Sequence, residues 1–296
     1  MPVDAFRAPP LGLAEREREY SPSSRVGGDW RPYLAAYVQR SRAAVERLGA
    51  PRTLAYGRSA SETVDVFAPP GGLPVATLVY FHGGYWQELS KHESAFAADD
   101  ALDAGAAFVA VDYTLAPAAR VETIVAQCVA AFDRVCAEAA GLGLDPARLV
   151  VAGSSAGAHL AAMVALQRRR AVAAAVLVSG VYDLGPLVGT SINAALGLDA
   201  DGARALSPQF ADLSCFPPAV LAWGDNETGE FVRQSGAFAA ALRACGRDVE
   251  AFEIPGRNHF DVILELASPG TPLGEATLAR LRAGSASPRG AARALP

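Results

Sequence analysis

Lysine is nearly absent from this chain. Of its 26 basic residues, 25 are arginine, and Lys91 stands alone among the 296 positions. The arginines do not gather into a stripe or alternate with aromatics, so a nucleic-acid partner is not expected. Their excess reads as genome composition. The net charge of −5 is mild and spread along the chain, which marks no strongly charged partner. The densest basic run, Arg168 to Arg170, is expected to close a helix, where cations complement the dipole.

Cysteine is scarce as well. Cys128, Cys136, Cys215 and Cys245 follow no zinc-ligand spacing, and neither a metal nor a cofactor is expected. The N-terminal "MPVDAFRAPPLGLAERERE" has no apolar stretch of the secretory kind, so a cytoplasmic chain with free thiols is the expectation. Cys128 and Cys136, eight apart in a helical stretch, read as small core hydrophobes. The apolar runs fall far short of the ~20 residues a membrane span needs. A membrane partner is therefore not expected, and a small molecule is the natural substrate class. The sequence does not fix the assembly, and a homodimer stays open.

What the chain does have is alternation. Residues 29–48 read as an amphipathic helix closed by Gly49. Strand-like apolar runs follow: "TVDVFAP" from Thr63, "VATLVYF" (75–81), "AAFVAVDY" (106–113), "LVVAG" (149–153), "AAVLVSG" (174–180), "AVLAWG" (219–224) and "VEAFEIPG" (249–256). Helical patterns near 121–140, 156–170 and 231–245 separate several of them. Continuous apolar runs between helices are the signature of buried parallel strands. The expected fold is α/β, with a mainly parallel sheet covered on both faces. One domain is the simpler reading, with a helical extension over about 1–50. Residues 181–214 are too long for a βα loop and suggest a small helical cap. The stretch 284–296 is expected to fray.

The chemistry concentrates at Gly153-Ser154-Ser155-Ala156-Gly157. This G-x-S-x-G lies between a buried strand and a helix, the context of a nucleophile elbow. The motif register selects Ser155 over Ser154. A serine nucleophile needs a base, and there are four histidines. His82 and His92 precede the serine. His159, inside the following helix, reads as a packed, hydrogen-bonded residue. Only His259 satisfies the order serine, acid, histidine of this architecture. The acid is expected in Gly224-Asp225-Asn226-Glu227-Thr228-Gly229-Glu230. Glu227 is favoured, Asp225 is the alternative, and Glu230 is the remaining carboxylate. The acid would fix the imidazole tautomer and stabilise the imidazolium.

The strand at 75–81 runs into "HGGYW". A loop at this place supplies N–H groups to an oxyanion hole, together with the N–H after the nucleophile. Gly83, Gly84 and Ala156 are the candidate donors, and one such donor is worth about 3–4 kcal/mol to the transition state. His82 is expected to pin the loop. Tyr85 and Trp86 are expected to line the substrate site, narrowing its acyl side.

Taken together, "HGGYWQ", "SKHESAF", "AVDYTLAP", "GSSAGAHLA", "TSINAALGLD", "ETGEFVRQS" and "NHFD" resemble the kynurenine formamidase (arylformamidase) family of α/β-hydrolases. The resemblance runs from about Tyr20 to about Leu266. Its most specific mark is Tyr-Trp after the two glycines, where broader esterase relatives usually carry a third glycine. It implies hydrolysis of N-formylkynurenine to kynurenine and formate, by Ser155, His259 and an acid aligned with Glu227. Many family members have aspartate at that position, which keeps Asp225 in play. A carboxylesterase acting on small acyl groups is the alternative activity.

Overall fold

The computed structural model describes residues 11–71 and 74–283. The stretch 284–296 and the first ten residues lie outside the described residues. Eight strands form one sheet: β1 (Arg52–Ala55), β2 (Thr63–Phe67), β3 (Val75–Phe81), β4 (Ala107–Val111), β5 (Leu144–Ser154), β6 (Val172–Val178), β7 (Ala219–Asn226) and β8 (Val249–Asn258). Their spatial order is β1-β2-β4-β3-β5-β6-β7-β8. β1 pairs with β2, and β2 with β4, antiparallel; every pairing from β4 to β8 is parallel. This is the mainly parallel sheet that the apolar runs imply.

Side chains alternate across the sheet, and both faces are buried. Val79, Phe81, Val109, Val151, Leu177 and Leu221 face one core, shared with α4 (Val121–Leu142), α5 (Ala156–Gln167) and α8 (Gly229–Ala244). Leu78, Tyr80, Phe108, Val150, Val176 and Val220 face the other. There they meet α2 (Arg31–Leu48), α3 (Ala98–Asp103) and α9 (Pro272–Ala283). From Ala156 through Leu166 every residue of α5 is buried, as a helix apolar on all sides must be. Cys128 is buried in the first core and burial pushes its thiol up; Cys136 is half-buried against the same core, and all four cysteines are free.

Two expectations are refined. α5 ends at Gln167, and the arginine run lies just beyond it. Arg168 forks onto both oxygens of Asp133 at 2.6 Å, and Arg169 reaches Asp212 at 2.8 Å. Residues 181–214 carry two short helices, α6 (Asn193–Leu196) and α7 (Ala200–Ala205), between single 3₁₀ turns. Ahead of the sheet lies α1 (Leu13–Glu19), followed by a 3₁₀ turn at Pro22–Val26. Among the described residues no helix is long and apolar enough to cross a membrane.

Candidate active site

Ser155 sits between the end of β5 and the start of α5 with φ 57° and ψ −121°. Such a conformation is strained for a residue with a side chain. Its N–H is held by the Val178 carbonyl at 2.9 Å, which ties the turn to the end of β6. The turn also needs the glycine two residues on. A Cβ on Gly157 would stand 2.0 Å from the Phe81 carbonyl and 2.6 Å from that of His82. The helix start can therefore press directly on the end of β3 and on the loop that follows it.

Glu227 and His259 meet at the ends of the next strands. His259, after β8, donates from Nδ1 to Glu227 Oε2 at 2.8 Å. The other carboxylate oxygen accepts from Ser179 Oγ at 2.5 Å and from the Gly224 N–H at 2.7 Å. Both residues are buried. The histidine ring rests on Phe231, with centroids 4.3 Å apart. Asp225 turns the other way: it is exposed and accepts from the Gly256 N–H at 2.9 Å. Glu230 is taken by Arg233 and by the Tyr20 hydroxyl. Of the three carboxylates that the sequence leaves open, Glu227 is the one in contact with His259.

The other histidines are structural in their surroundings. His159 Nε2 donates to the Leu206 carbonyl at 2.8 Å, and burial pushes its pKa down to about 4. His82 stacks on Tyr113, with centroids 4.1 Å apart, and the Tyr113 hydroxyl donates to the His82 carbonyl at 2.8 Å. This pair holds the root of the "HGGYW" loop. His92 lies on the surface, its N–H capped by Ser90.

In that loop Gly83 comes so close to the elbow that a Cβ would lie 2.8 Å from the Ser154 carbonyl. The N–H groups of Gly83, Gly84 and Ala156 donate to no atom among the described residues. Tyr85 lines the cavity above Ser155, and its hydroxyl donates to the Tyr20 carbonyl at 2.5 Å. Trp86 corrects the sequence expectation. Its side chain is fully buried, it meets His159 edge-on at 5.1 Å, and it does not line the cavity. Its carbonyl accepts from Ala116 N–H at 2.7 Å. Both Tyr85 and Trp86 have positive φ, 50° and 59°. Two left-handed residues in succession turn neighbouring rings to different sides, so one ring reaches the cavity while the other anchors the loop in the core.

The cavity holds about 410 Å³, and Ser155, His259, Gly83 and Gly84 all open onto it. A family profile for the alpha/beta hydrolase fold matches residues 78–262, which include the elbow, the loop after β3 and the Glu227–His259 pair. The chain belongs to the α/β-hydrolase family. Within it the chain is arylformamidase-like: it is 33% identical to the kynurenine formamidase of Danio rerio over 273 residues, covering 85% of this chain and 90% of that protein. It is also 32% identical to the carboxylesterase NlhH of Mycobacterium tuberculosis over 266 residues, 77% of this chain and 81% of that one. A solved structure from Silicibacter sp. superposes with a TM-score of 0.79 at 28% identity, covering 89% of this chain and 98% of the other.

Part of this hydrolase's cavity comes from residues outside the matched region. Glu17, Tyr20, Pro22, Trp30 and Tyr37 all line it. Tyr20 is fully buried; its hydroxyl donates to Glu230 at 2.7 Å and its carbonyl receives Tyr85. Thr228 Oγ1 donates to the Glu19 carbonyl, and Arg25 Nε reaches Asn226 at 3.2 Å. The segment before the sheet is thereby fastened to the loop that carries Glu227 and to the loop that carries Gly83. Sequence reasoning assigns this segment no part in the site, since its partners lie 65 to 210 residues away and leave no local pattern.

Proposed function

We propose that this hydrolase cleaves aryl formamides of the N-formylkynurenine type. The observation that carries the reading is the Glu227–His259 hydrogen bond at 2.8 Å beside a strained Ser155 on one aromatic-lined cavity. His259 Nε2 takes the Ser155 hydroxyl proton as Oγ attacks the formyl carbon. The tetrahedral oxygen is received by the N–H groups of Gly83, Gly84 and Ala156. His259 then returns the proton to the nitrogen, the C–N bond breaks, and the aryl amine leaves. Water, deprotonated by the same imidazole, attacks the formyl-enzyme and releases formate. Glu227 holds the imidazole with its proton on Nδ1, which leaves Nε2 free to accept. An aryl amine is a better leaving group than an alkyl amine, so this chemistry suffices for a formanilide.

The relation to a carboxylesterase supports a second reading, hydrolysis of small-acyl esters by the same residues. One assay separates the two. Kynurenine release from N-formylkynurenine is followed beside hydrolysis of p-nitrophenyl acetate. The first reading expects kcat/KM for the formamide to equal or exceed that for the ester. Fast ester cleavage with no formamide cleavage refutes it, and full activity in Ser155→Ala refutes the mechanism.

A further inference from the structure

The cavity above Ser155 carries side-chain charge of one sign. Glu17 from α1 and Glu88 from the loop after β3 line it, and among the described residues no lysine or arginine does. Three arginines of the segment that carries Glu17 and Trp30 bond to groups other than the two carboxylates. Arg16 donates to the carbonyls of Pro186 and Val188, Arg25 to Asn226, and Arg31 to Asp29. The single lysine, Lys91, is buried against Asp65 at 2.7 Å. Glu17 is also held in place. The Ser191 hydroxyl and N–H each donate to one of its carboxylate oxygens at 2.6 Å, and these bonds keep its pKa below the usual carboxylate range. It is ionised at neutral pH and fixed in direction. Beside it stands an aromatic wall: Trp30 and Phe260, both lining the cavity, stack with centroids 6.2 Å apart and planes 18° from parallel.

A ligand side chain entering here meets two carboxylates and ring faces. A cation gains from both, since ring faces attract positive charge. A carboxylate meets like charge and finds no lining cation. We infer that this cavity is a leaving-group subsite for aryl amines whose side chain ends in an ammonium, with Glu17 and Glu88 as the specificity-determining residues. It rests on the preceding reading, in which the amine is the part that leaves. It adds that a zwitterionic amino-acid tail is recognised through its ammonium alone, so its carboxylate can be deleted without loss.

The test measures binding of product amines and needs no turnover. Three 2-aminophenyl ketones are titrated calorimetrically into the full chain. One side chain bears an ammonium and a carboxylate, one an ammonium only, and one a carboxylate only. The ammonium-only compound is expected to bind at least as tightly as the zwitterion, and about tenfold more tightly than the carboxylate-only compound, a difference of about 1.4 kcal/mol. In the double variant Glu17→Gln/Glu88→Gln that tenfold ratio is expected to collapse toward one. Glutamine at 17 can still accept from Ser191, so the variant removes charge and keeps a bond. Equal or tighter binding of the carboxylate-only compound overturns the inference. So does an unchanged ratio in the variant, or no binding by any of the three. Absence of formamide turnover in the earlier assay would instead refute the formamidase reading and leave these affinities to be judged on their own.

Discussion

Replacing Glu227 by glutamine should disable the enzyme while leaving its shape intact. In the wild type, Oε1 accepts from Ser179 Oγ and the Gly224 N–H, and Oε2 accepts from His259 Nδ1. A glutamine has one oxygen and one amide nitrogen for these two sides. Two donors converge on the Oε1 side, so the oxygen stays there and the NH₂ turns to His259. The imidazole must then carry its proton on Nε2 and accept at Nδ1. In that tautomer Nε2 cannot take the Ser155 proton. Enforcing the wrong tautomer costs up to about 10⁴ in kcat; a loss of 10³–10⁴ corresponds to about 4–5 kcal/mol of barrier. Asp225→Asn is the matched control, because among the described residues Asp225 accepts only from the Gly256 N–H at the surface, and it should stay within about twofold of wild type. The assay is initial-rate hydrolysis of p-nitrophenyl acetate with thermal melts of each variant. The reasoning fails if Glu227→Gln keeps more than a tenth of wild-type kcat, or if Asp225→Asn loses as much as Glu227→Gln.

Three further outcomes follow from burial. Trp86→Ala should cost about 3–5 kcal/mol in urea unfolding, and lower activity toward acetyl and butyryl esters by the same factor; a selective gain for the longer acyl group would contradict the core placement of the ring. Lys91→Met should cost about 3–5 kcal/mol by stranding Asp65, and Lys91→Met/Asp65→Leu should recover most of it, whereas an unaffected single variant would show the pair to be idle. His159, held neutral with a pKa of about 4 against about 6.5 in the unfolded chain, contributes stability that is fully present above about pH 6.5 and is lost as pH falls toward 4. By pH 4.5 that loss is about 2–3 kcal/mol, and His159→Gln should flatten this part of the stability–pH curve; a curve identical to wild type would sink the assignment.

Much of this molecule was legible because its signals are local. The parallel strands stand out since both sheet faces are buried, which turns each strand into an unbroken apolar run: Val75–Phe81 coincides with β3 to the residue. The edge strand β1, "RTLA", buries only Leu54 and so had no pattern to read. The pairing of His259 with an acid from the segment Gly224 to Glu230 could be anticipated from chain order. The sequence favours Glu227 without excluding Asp225. Asp225 stands at the end of β7 and Glu227 just past it, and the contacts with Gly256 and with Ser179 show which one faces the imidazole. Trp86 departs from expectation for a related reason. Residue type says that a tryptophan is large and apolar, but which way it points depends on φ, and positive φ at two non-glycine positions has no sequence signature.

The segment around Tyr20 shows what that limit means for function. Its ring lies 6.0 Å from Phe231, which in turn packs on His259 at 4.3 Å; its hydroxyl serves Glu230 and its carbonyl takes Tyr85. One buried residue thus spans the wall behind the histidine and the loop that offers Gly83 and Gly84. The residues proposed for catalysis stand at strand ends, where any member of the architecture could supply them. The chain before the sheet gives this cavity one of its two lining carboxylates and several of its rings, through Glu17, Tyr20, Trp30 and Tyr37, while Glu88, Tyr80, Tyr85 and Phe260 supply the others. The lining of this cavity is thus shared between the motif-bearing loop after β3 and a preceding segment that carries no recognisable motif. On the proposed reading, a change in the preceding segment alters which amine is accepted while the residues from Gly153 to Gly157, Glu227 and His259 stay as they are.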